Sequence, residues 1–592
     1  MTSRALHRAA LAAALITGAA VLATVPVATA KPQPQSTVPV RLLALNDFHG
    51  NLEPPSGSGG RITNEAGVTV EAGGAVYVAT YMKSLRDANT LEVAQGDLIG
   101  ATPLISAAYH DEPTIEFMND LGIDTSAVGN HEFDEGYAEL RRITEGGCHP
   151  VDGCSPAGPW QGADFEFLGA NVLFKDPSAS PVIGDAPGPV VSAFSDLGVP
   201  ALPPISVKKI NGQKIGFIGI VTKTTPTIVT TAGIVDLKFV DEVAAAQRAS
   251  KVLTRLGVDA QVVLVHEGDQ VTPGQSPDAC SAQPGVGTAI AQQVDPAVDM
   301  ILSGHSHQAY LCTVTDPAGN PRLYSQGGSF GKVITQVDFR IDTRTHDVVR
   351  SSVAADNHVV LRTVTPDPDT AAFLQTWRER VAPVANAPVG TITATISTTA
   401  APSGETPMGL AIADAQLAAM DDVAGAEIAL MNPGGVRSSL TFASSPANEG
   451  DGVVTYGEAF TVQPFNNFMQ TVTVTGAALE LILEQQFPGG PNNQPFTKIL
   501  QPSAGFTYAY SSSAPWGSKV SDMRINDVPV TDTQTIRVAA NNFLIGGGDS
   551  FFAFTQGTDM VSGPLDIDAF VAYLGANSPV APPATTRITR LP

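Results

Sequence analysis

Cysteine, tryptophan and positive charge are all scarce in this sequence. Of its 592 residues, 4 are Cys and 3 are Trp, and 33 Lys and Arg stand against 57 Asp and Glu, for a formal net charge of −24. A chain this acidic is poorly suited to gripping a nucleic-acid polymer or an anionic membrane surface. Small phosphorylated ligands are not excluded, since a metal ion or one well-placed arginine overcomes the repulsion locally.

Apolar runs long enough to span a membrane are missing from the sequence after its first thirty residues. Arg4 and Arg8 precede an apolar stretch of small residues at 9–25, and residues 28–30 match a cleavage site. This pattern predicts a signal peptide over residues 1–30 and a secreted product, extracellular or in the cell envelope. A retained membrane anchor is the alternative, but the stretch is short and Pro26 ends it. No oligomeric state is predicted.

Export would make the four cysteines candidates for structural disulfides. Four cysteines allow three pairings, and we favour Cys148–Cys154, which closes a short loop, with Cys280–Cys312. A zinc site built from all four is the alternative, although no C-x-x-C spacing supports it.

The composition is globular, with 43% hydrophobic and 15% charged residues, and the length allows two to four domains. In the first part, apolar strand patterns alternate with helical ones, such as those at 76–86 and 241–256, which predicts a layered α/β domain. A Pro/Asp breaker at 365–370 and a helical segment at 371–384 follow. The predicted organisation is a first domain at 38–364, a linker helix and connecting segment at 365–399, and a second domain at 400–592.

Polar side chains with metal-binding capacity follow several of the predicted strands. Taken singly, each has an ordinary explanation, such as a turn cap or a hydrogen-bonded core histidine. Together they form a mixed imidazole and carboxylate set that suits Zn, Mn or Fe. Asp97 is the expected bridge between two ions, because a carboxylate has two oxygens and Gly96 leaves room beside it. The seven candidate ligands are Asp47, His49, Asp97, Asn130, His266, His305 and His307.

Five blocks carry these residues in order: NDFHG (46–50), GDLIG (96–100), GNHEFD (129–134), VHEG (265–268) and GHSH (304–307). Further blocks are MNPGGVR (431–437), QPFNN (463–467) and FLIGGGDSF (543–551). In these motifs the chain resembles the secreted bacterial 5′-nucleotidase / UDP-sugar hydrolase / 2′,3′-cyclic-nucleotide phosphodiesterase family, within the calcineurin-like metallophosphoesterases. The resemblance implies an N-terminal four-layer α/β metallophosphoesterase sandwich and a C-terminal α+β substrate-binding domain, joined by a linker helix.

The same resemblance implies two divalent ions, with Zn, Mn and Co all compatible. One ion would bind Asp47, His49, Asp97 and His307, and the other Asp97, Asn130, His266 and His305. His131 and Asp134 would form a catalytic dyad, in which a metal-bound hydroxide attacks phosphorus and the imidazolium assists the leaving oxygen.

For the second domain, the resemblance implies a nucleoside site. Phe465 and Phe543 would clamp the base, and Asp549 would accept hydrogen bonds from the ribose hydroxyls. Arg437 would reach phosphate or ribose oxygens. Asn432 and Asn467 would make further polar contacts to the base or sugar.

Two departures from the family pattern bear on specificity. No Lys or Arg occurs from 381 to 436, where many relatives add an arginine, and the glycine of the LQxSG block is shifted in LQPSAG (500–505). The expected activity is hydrolysis of nucleoside 5′-monophosphates to nucleoside and phosphate. The alternatives are a 2′,3′-cyclic phosphodiesterase/3′-nucleotidase and a UDP-sugar hydrolase. A non-catalytic surface-binding protein on the same scaffold is a remote alternative.

Overall fold

The computed structural model describes residues 37–592 apart from 56–58, 177–197, 230, 273, 445–447, 466 and 495. The signal peptide predicted at 1–30 lies outside the described residues. Thr37–Pro592 form one compact unit.

Two sheets form the centre of the first part. In the first, seven described strands lie in the order β16 (Asp347–Val348), β15 (Val333–Asp342), β1 (Thr37–Leu45), β4 (Thr90–Ala94), β5 (Thr125–Ala127) and β6 (Glu166–Leu168), with β17 (Ala354–Val359) also paired to β15. In the second, six lie in the order β13 (Ala309–Thr315), β14 (Pro321–Gly327), β12 (Met300–Ser303), β11 (Ala260–His266), β9 (Gln213–Val221) and β8 (Ile205–Ile210). Two small pairs join β2 (Arg61–Thr63) to β3 (Thr69–Glu71) and β7 (Val172–Phe174) to β10 (Leu237–Phe239).

The sheets pack face to face, and helices cover their outer faces. Strand β1 shows why, since Leu42 and Ala44 belong to the apolar cluster between the sheets while Leu43 and Leu45 belong to the cluster under the helices. A strand that is apolar on both faces is buried on both faces. The result is the predicted four-layer α/β sandwich, which is confirmed. Its helices are α1 (Ala75–Leu85), α2 (Leu104–Ala107), α3 (Glu112–Leu121), α4 (Tyr137–Glu145), α5 (Glu242–Leu256) and α6 (Val286–Gln293).

Helix α5 shows how the sequence sets helix bounds. The Asp241 side chain caps it by accepting a hydrogen bond from the amide of Ala244, and Gly257 ends it in the left-handed region at φ 64°. Between them Ala245, Ala249 and Leu253 are buried at intervals of four residues, which gives the helix one apolar face.

A long helix, α7 (Pro368–Ala385), connects the two parts of the chain. It begins three residues before the predicted 371, because Asp367 caps it and Pro368 occupies its first turn. Leu374, Trp377 and Val381 form its buried face. The strands of the two large sheets end before this helix, and those of the second part begin after it. The domain boundaries at 364/365 and 399/400 stay a prediction.

The second part mixes sheets and helices, and the α+β prediction is confirmed. Its five-stranded sheet has the order β22 (Gln501–Pro502), β19 (Ile428–Met431), β26 (Thr535–Asn541), β21 (Phe468–Thr475) and β27 (Thr558–Leu565). A four-stranded sheet has the order β25 (Val528–Pro529), β24 (Val520–Ile525), β23 (Phe506–Ser511) and β28 (Ile588–Leu591), and β18 (Pro388–Thr391) pairs with β20 (Val453–Thr455). The helices are α8 (Pro407–Ala424), α9 (Tyr456–Val462), α10 (Gly476–Glu484), α11 (Asn542–Ile545) and α12 (Asp566–Asn577).

Both favoured disulfides are present, Cys148–Cys154 and Cys280–Cys312. The second joins a loop before α6 to strand β13. Throughout the described part of the chain, every helix is too short or too polar to cross a lipid bilayer.

Removing the Cys280–Cys312 bond should destabilise the chain more than removing the other disulfide. Its cysteines are 32 residues apart, against 6 for Cys148–Cys154. In the chain-entropy view the longer loop contributes about 3–4 kcal/mol and the shorter about 2 kcal/mol. Urea unfolding of the two double Cys→Ser variants measures the difference. Equal losses of unfolding free energy would contradict the expectation.

Candidate active site

The predicted ligands all lie at the carboxyl ends of strands. Strands β1, β4 and β5 are parallel neighbours in the first sheet, and β11 and β12 are parallel neighbours in the second. Their ends therefore meet at one edge of the sandwich, where ligands bind in such sheets. In strand order the residues brought there are Asp47 and His49, Asp97, Asn130, His266, and His305 and His307.

The backbone at these strand ends is held in an unusual conformation. Five of the residues have positive φ angles: Asp47 (49°), His49 (47°), Asp97 (49°), His305 (74°) and His307 (59°). Non-glycine residues in this region cost of order 1–3 kcal/mol each, and they persist only where surrounding contacts impose them. Amide hydrogen bonds impose two of them here, from Asp47 to Gly96 O (3.1 Å) and from His49 to Asp97 O (3.0 Å). Such outliers cluster at functional sites.

Two groups of donor atoms share the Asp97 carboxylate. One contains Asp47, His49, Asp97 and His307, and the other contains Asp97, His266 and His305. Within each group the donor atoms lie within 4.8 Å of one another. Asp97 Oδ2 is 2.9 Å from His266 Nε2 and 3.5 Å from His49 Nε2, and Asp47 Oδ1 is 3.3 Å from His307 Nε2.

One buried atom at this edge, Asn130 Oδ1, has no hydrogen-bond partner among the described residues, and its side chain is almost completely buried. Leaving such an atom unsatisfied costs about 1–3 kcal/mol. A cation among the donor groups would satisfy it, so the residues present fit a metal centre.

The histidine rings are oriented by backbone carbonyls. His49 Nδ1 is 2.8 Å from Gly100 O, and His266 Nδ1 is 2.7 Å from Gln95 O. Metal-ligating histidines commonly donate one ring N–H in this way, which leaves the other nitrogen as the donor to the metal. Burial lowers the pKa of His49 to about 3 and that of His305 to about 4, so both rings are neutral.

Close backbone packing leaves no space for a side chain beside the shared carboxylate. A Cβ added at Gly129 would lie 2.1 Å from Asp97 Oδ1. Glycine is therefore required at this position, and any other residue would displace Asp97.

The predicted dyad is assembled next to the donor groups. His131 Nδ1 is 2.6 Å from Asp134 Oδ2, and the His131 amide donates to Asp97 Oδ1 at 2.9 Å. Burial alone would lower the pKa of His131, but the carboxylates of Asp134 and Asp97 outweigh it and raise the pKa to about 10. The ring is thus an imidazolium at neutral pH, with its outer nitrogen able to donate a proton.

His131 and Asp134 open onto a cavity of about 590 Å³. Its opposite wall comes from the second part of the chain, where Tyr456, Phe460 and Phe468 contribute aromatic rings. Among the described residues that line this cavity, none belongs to the predicted nucleoside site.

The predicted nucleoside residues lie elsewhere in the second part. Asp549 has φ 55°, and its carboxylate accepts hydrogen bonds from Asn432 Nδ2 (2.8 Å) and Lys498 Nζ (2.6 Å). The guanidinium of Arg437 lies 5.7 Å from the centre of the Phe465 ring. These contacts form one polar cluster around Asp549 and one pair of a cation with an aromatic ring.

Two predicted residues have different surroundings. Phe543 is 41% exposed and packs over the Gly-rich turn, where a Cβ at Gly548 would lie 2.6 Å from its ring. Asn467 donates to Asp566 Oδ2 (3.2 Å) at the start of α12, and no described hydrogen bond joins it to Asp549.

Sequence reasoning missed three residues that hold this site together. Asn46 donates to Asp47 Oδ2 (2.6 Å) and Lys498 holds Asp549. Glu132 is buried and accepts from the amides of Asp97 (2.9 Å) and Leu98 (2.8 Å), and also from that of Gly129. Glu132 lies inside the GNHEFD block, so its place in the sequence could have indicated a role at the site. Lys498 comes near Asp549 only through the fold.

Comparisons with known proteins agree with this geometry. Residues 384–556 match the family described as 5′-nucleotidase, C-terminal domain. Cell wall protein Lmo0130 of Listeria monocytogenes is 32% identical over 91% of this chain and 67% of its own length. The chain belongs to the 5′-nucleotidase family. Relatives in this family are metal-dependent phosphoric ester hydrolases.

A solved structure extends the likeness to the whole described fold of this 5′-nucleotidase family member. The 5′-nucleotidase precursor from Thermus thermophilus superposes with a TM-score of 0.62 at 25% identity, over 94% of this chain and 99% of that one. Endonuclease YhcR of Bacillus subtilis is 30% identical over 93% of this chain, but the chain spans only 40% of that relative's length.

Glu132 should be a structural requirement of the strand ends. In Glu132→Gln an N–H₂ group replaces one acceptor oxygen and faces backbone amides, which leaves buried donors unpaired. We expect the free energy of unfolding to fall by about 2–3 kcal/mol. Urea denaturation measures it, with Glu145→Gln as the control, since the contact described for the Glu145 carboxylate is an exposed ion pair with Arg141. Equal effects of the two changes would contradict this role.

Proposed function

We propose that this chain is a secreted two-metal phosphoesterase that hydrolyses extracellular nucleotides, chiefly nucleoside 5′-monophosphates, to nucleoside and phosphate. One observation carries the proposal. Two donor groups share Asp97, the backbone amide of His131 donates to the same carboxylate, and the paired His131 and Asp134 side chains line a cavity beside it. An extracellular location is supported by the cell-wall relative.

The donor set suits two divalent ions of the Zn, Mn or Co kind. When bound, such ions lower the pKa of water and offset the charge of phosphoryl oxygens. Asp47, His49, Asp97 and His307 would hold one, and Asp97, Asn130, His266 and His305 the other.

His131 supplies the proton in this proposal. Its imidazolium lies beside the donor groups, held at Nδ1 by Asp134, so its outer nitrogen can protonate the leaving oxygen of the ester. Its positive charge also stabilises negative charge that develops on the phosphoryl group.

The nucleoside would bind in the second part of the chain. Phe465 and Phe543 offer ring faces for the base, and Asp549 accepts from the ribose hydroxyls. Asn432 and Lys498 hold the Asp549 carboxylate in place, and Arg437 is exposed and can reach phosphate oxygens. Because these residues do not line the cavity of His131, we propose that the second part turns about the segment after α7 to deliver the substrate. Asn467 would make a polar contact to the base or sugar while its side chain is held by Asp566.

The same centre would serve a 2′,3′-cyclic phosphodiesterase/3′-nucleotidase or a UDP-sugar hydrolase, since the metal ligands do not distinguish these esters. Lys498 keeps these alternatives open. The chain has no Lys or Arg from 381 to 436, where many relatives add an arginine, and Lys498 instead brings a positive charge to the proposed nucleoside site. A non-catalytic surface-binding role would require inactivity with metal bound.

Phosphate release from 5′-AMP by the mature protein tests the proposal. We expect release that is lost on chelation and restored by Zn, Mn or Co. In the same assay His131→Asn should lower kcat about 10²–10⁴-fold with metal content unchanged, because the proton donor and its charge are lost while the metal donors stay in place. His346→Asn is the control, since His346 is an exposed histidine paired with Asp259. If the metal-bound protein hydrolyses none of 5′-AMP, cyclic nucleotides and UDP-glucose, the proposed enzymatic function is refuted.

Lys498 should act on nucleotide binding and not on the chemical step. Lys498→Met leaves one Asp549 oxygen without its partner, and we expect KM for 5′-AMP to rise about tenfold, the equivalent of one charged hydrogen bond. Turnover of p-nitrophenyl phosphate, which has no ribose, should not change. Lys519→Met is the matched control, because the described contacts of Lys519 are with backbone carbonyls of its own loop and the ring of Phe487, away from Asp549. A tenfold loss on both substrates would contradict this role for Lys498.

A further inference from the structure

A second cluster of histidines and carboxylates lies at the cavity wall, outside the centre described above. It contains His110, Glu135 and Asp152, which line the cavity, and His149 beside them. His110 Nδ1 is 2.7 Å from Glu135 Oε2, and His110 Nε2 is 3.0 Å from Asp152 Oδ2. His149 Nδ1 is 3.1 Å from the same Asp152 oxygen. Donor atoms of His110, Glu135 and His149 all lie within 4.8 Å of one another.

The covalent structure and the backbone pre-organise this cluster. The Cys148–Cys154 disulfide closes the loop that carries His149 and Asp152. Inside that loop the amide and carbonyl of His149 exchange hydrogen bonds with those of Gly153, both at 3.0 Å. A loop fixed in this way presents its side chains at little further entropic cost.

His110 is held in place by its own backbone. It has φ 50° and is followed by Asp111 at φ 62°, two consecutive non-glycine residues in the left-handed region. Asp111 is buried and fixed by the amide of Gly100 (3.1 Å) and the hydroxyl of Ser106 (2.6 Å). Strain of this kind is retained where a side chain must point in a set direction. Here it directs the His110 ring between Glu135 and Asp152.

The surrounding charge favours a cation. Two imidazole rings, His110 and His149, are stacked with their centres 3.7 Å apart. Burial alone would lower the pKa of His110, but Glu135 outweighs it and raises the pKa to about 9, so a positive charge is stabilised at this place. Carboxylates outnumber basic groups on the cavity wall, which favours a bound cation there. They are Asp111, Glu132, Asp134, Glu135, Glu139, Asp152 and Asp568.

We propose that His110, Glu135 and His149, with Asp152, form an accessory binding site for a divalent transition ion, zinc or one of similar ligand preference. Two imidazoles with carboxylates are the donor set of Zn²⁺, whereas Ca²⁺ and Mg²⁺ prefer oxygen ligands alone. The ion would take the place of the proton on His110. The site shares no donor with the two groups around Asp97, so it does not rest on the proposed phosphoesterase function.

Zinc content of the full chain tests this site. Wild type and His149→Ala are loaded with ZnCl₂ at pH 7.5, freed of excess by gel filtration, and measured by inductively coupled plasma mass spectrometry. We expect His149→Ala to carry one zinc ion fewer per chain than wild type. Glu135→Gln, which is nearly isosteric, should lose the same ion. His346→Ala is the matched control, since its histidine–carboxylate pair lies outside the cluster, and it should retain the wild-type content.

A second preparation separates this site from the shared centre. In Asp97→Asn/His266→Asn both groups around Asp97 are impaired. One zinc ion per chain should still bind to this double variant, and adding His149→Ala should abolish that binding. Circular dichroism verifies that each variant is folded. The proposal is overturned if folded His149→Ala and Glu135→Gln both carry the wild-type zinc content.

Discussion

The carboxylate of Asp97 is the point on which the first part of the molecule converges. Its Oδ1 accepts the amide of His131, and its Oδ2 faces His266 and His49. Its backbone carbonyl in turn receives the amide of His49. Strands from both sheets therefore depend on a single side chain for their relative placement at this edge. A buried carboxylate surrounded by this many polar groups concentrates charge that water cannot screen.

The apolar layers of the sandwich offset the free-energy cost of this convergence. Burying polar groups is costly unless each finds a partner, and a strained backbone is costly wherever it occurs. The layer between the sheets, with Phe217 and Phe339 among its members, supplies the opposing stabilisation. Asn46 and Glu132 then distribute hydrogen bonds so that few groups at the strand ends remain unpaired.

Much of this arrangement was predictable, because the information is local. An apolar strand followed by Asp, Asn or His marks the end of a parallel strand, and parallel ends share an edge, so the seven donors were expected near one another. A layered α/β domain and the bounds of α5 and α7 follow from periodicity and capping to within a few residues, whereas the four-layer form was implied by the resemblance. The pairing of the cysteines was favoured on loop length alone.

The contacts that the sequence did not predict join residues that are distant in the sequence and meet only in the folded chain. Lys498 and Asp549 are separated by 51 residues and meet only because a loop and a Gly-rich turn pack together. His110, Glu135 and His149 come from three different segments, and none of them follows a strand pattern. Nor does any sequence pattern show that Asn467 turns toward Asp566, or that the cavity of His131 is walled by α9 and not by the predicted nucleoside residues.

The position of β1 has a consequence for how the chain is made. This first strand is central in its sheet, with β4 on one side and β15 on the other, so Thr37–Leu45 pair with residues as late as Asp342. Pairings this distant in sequence form slowly, because a long loop must close before they contribute any stability. The sheet that carries Asp47 and Asp97 therefore stays incomplete on the ribosome until more than half of the polypeptide has been synthesised.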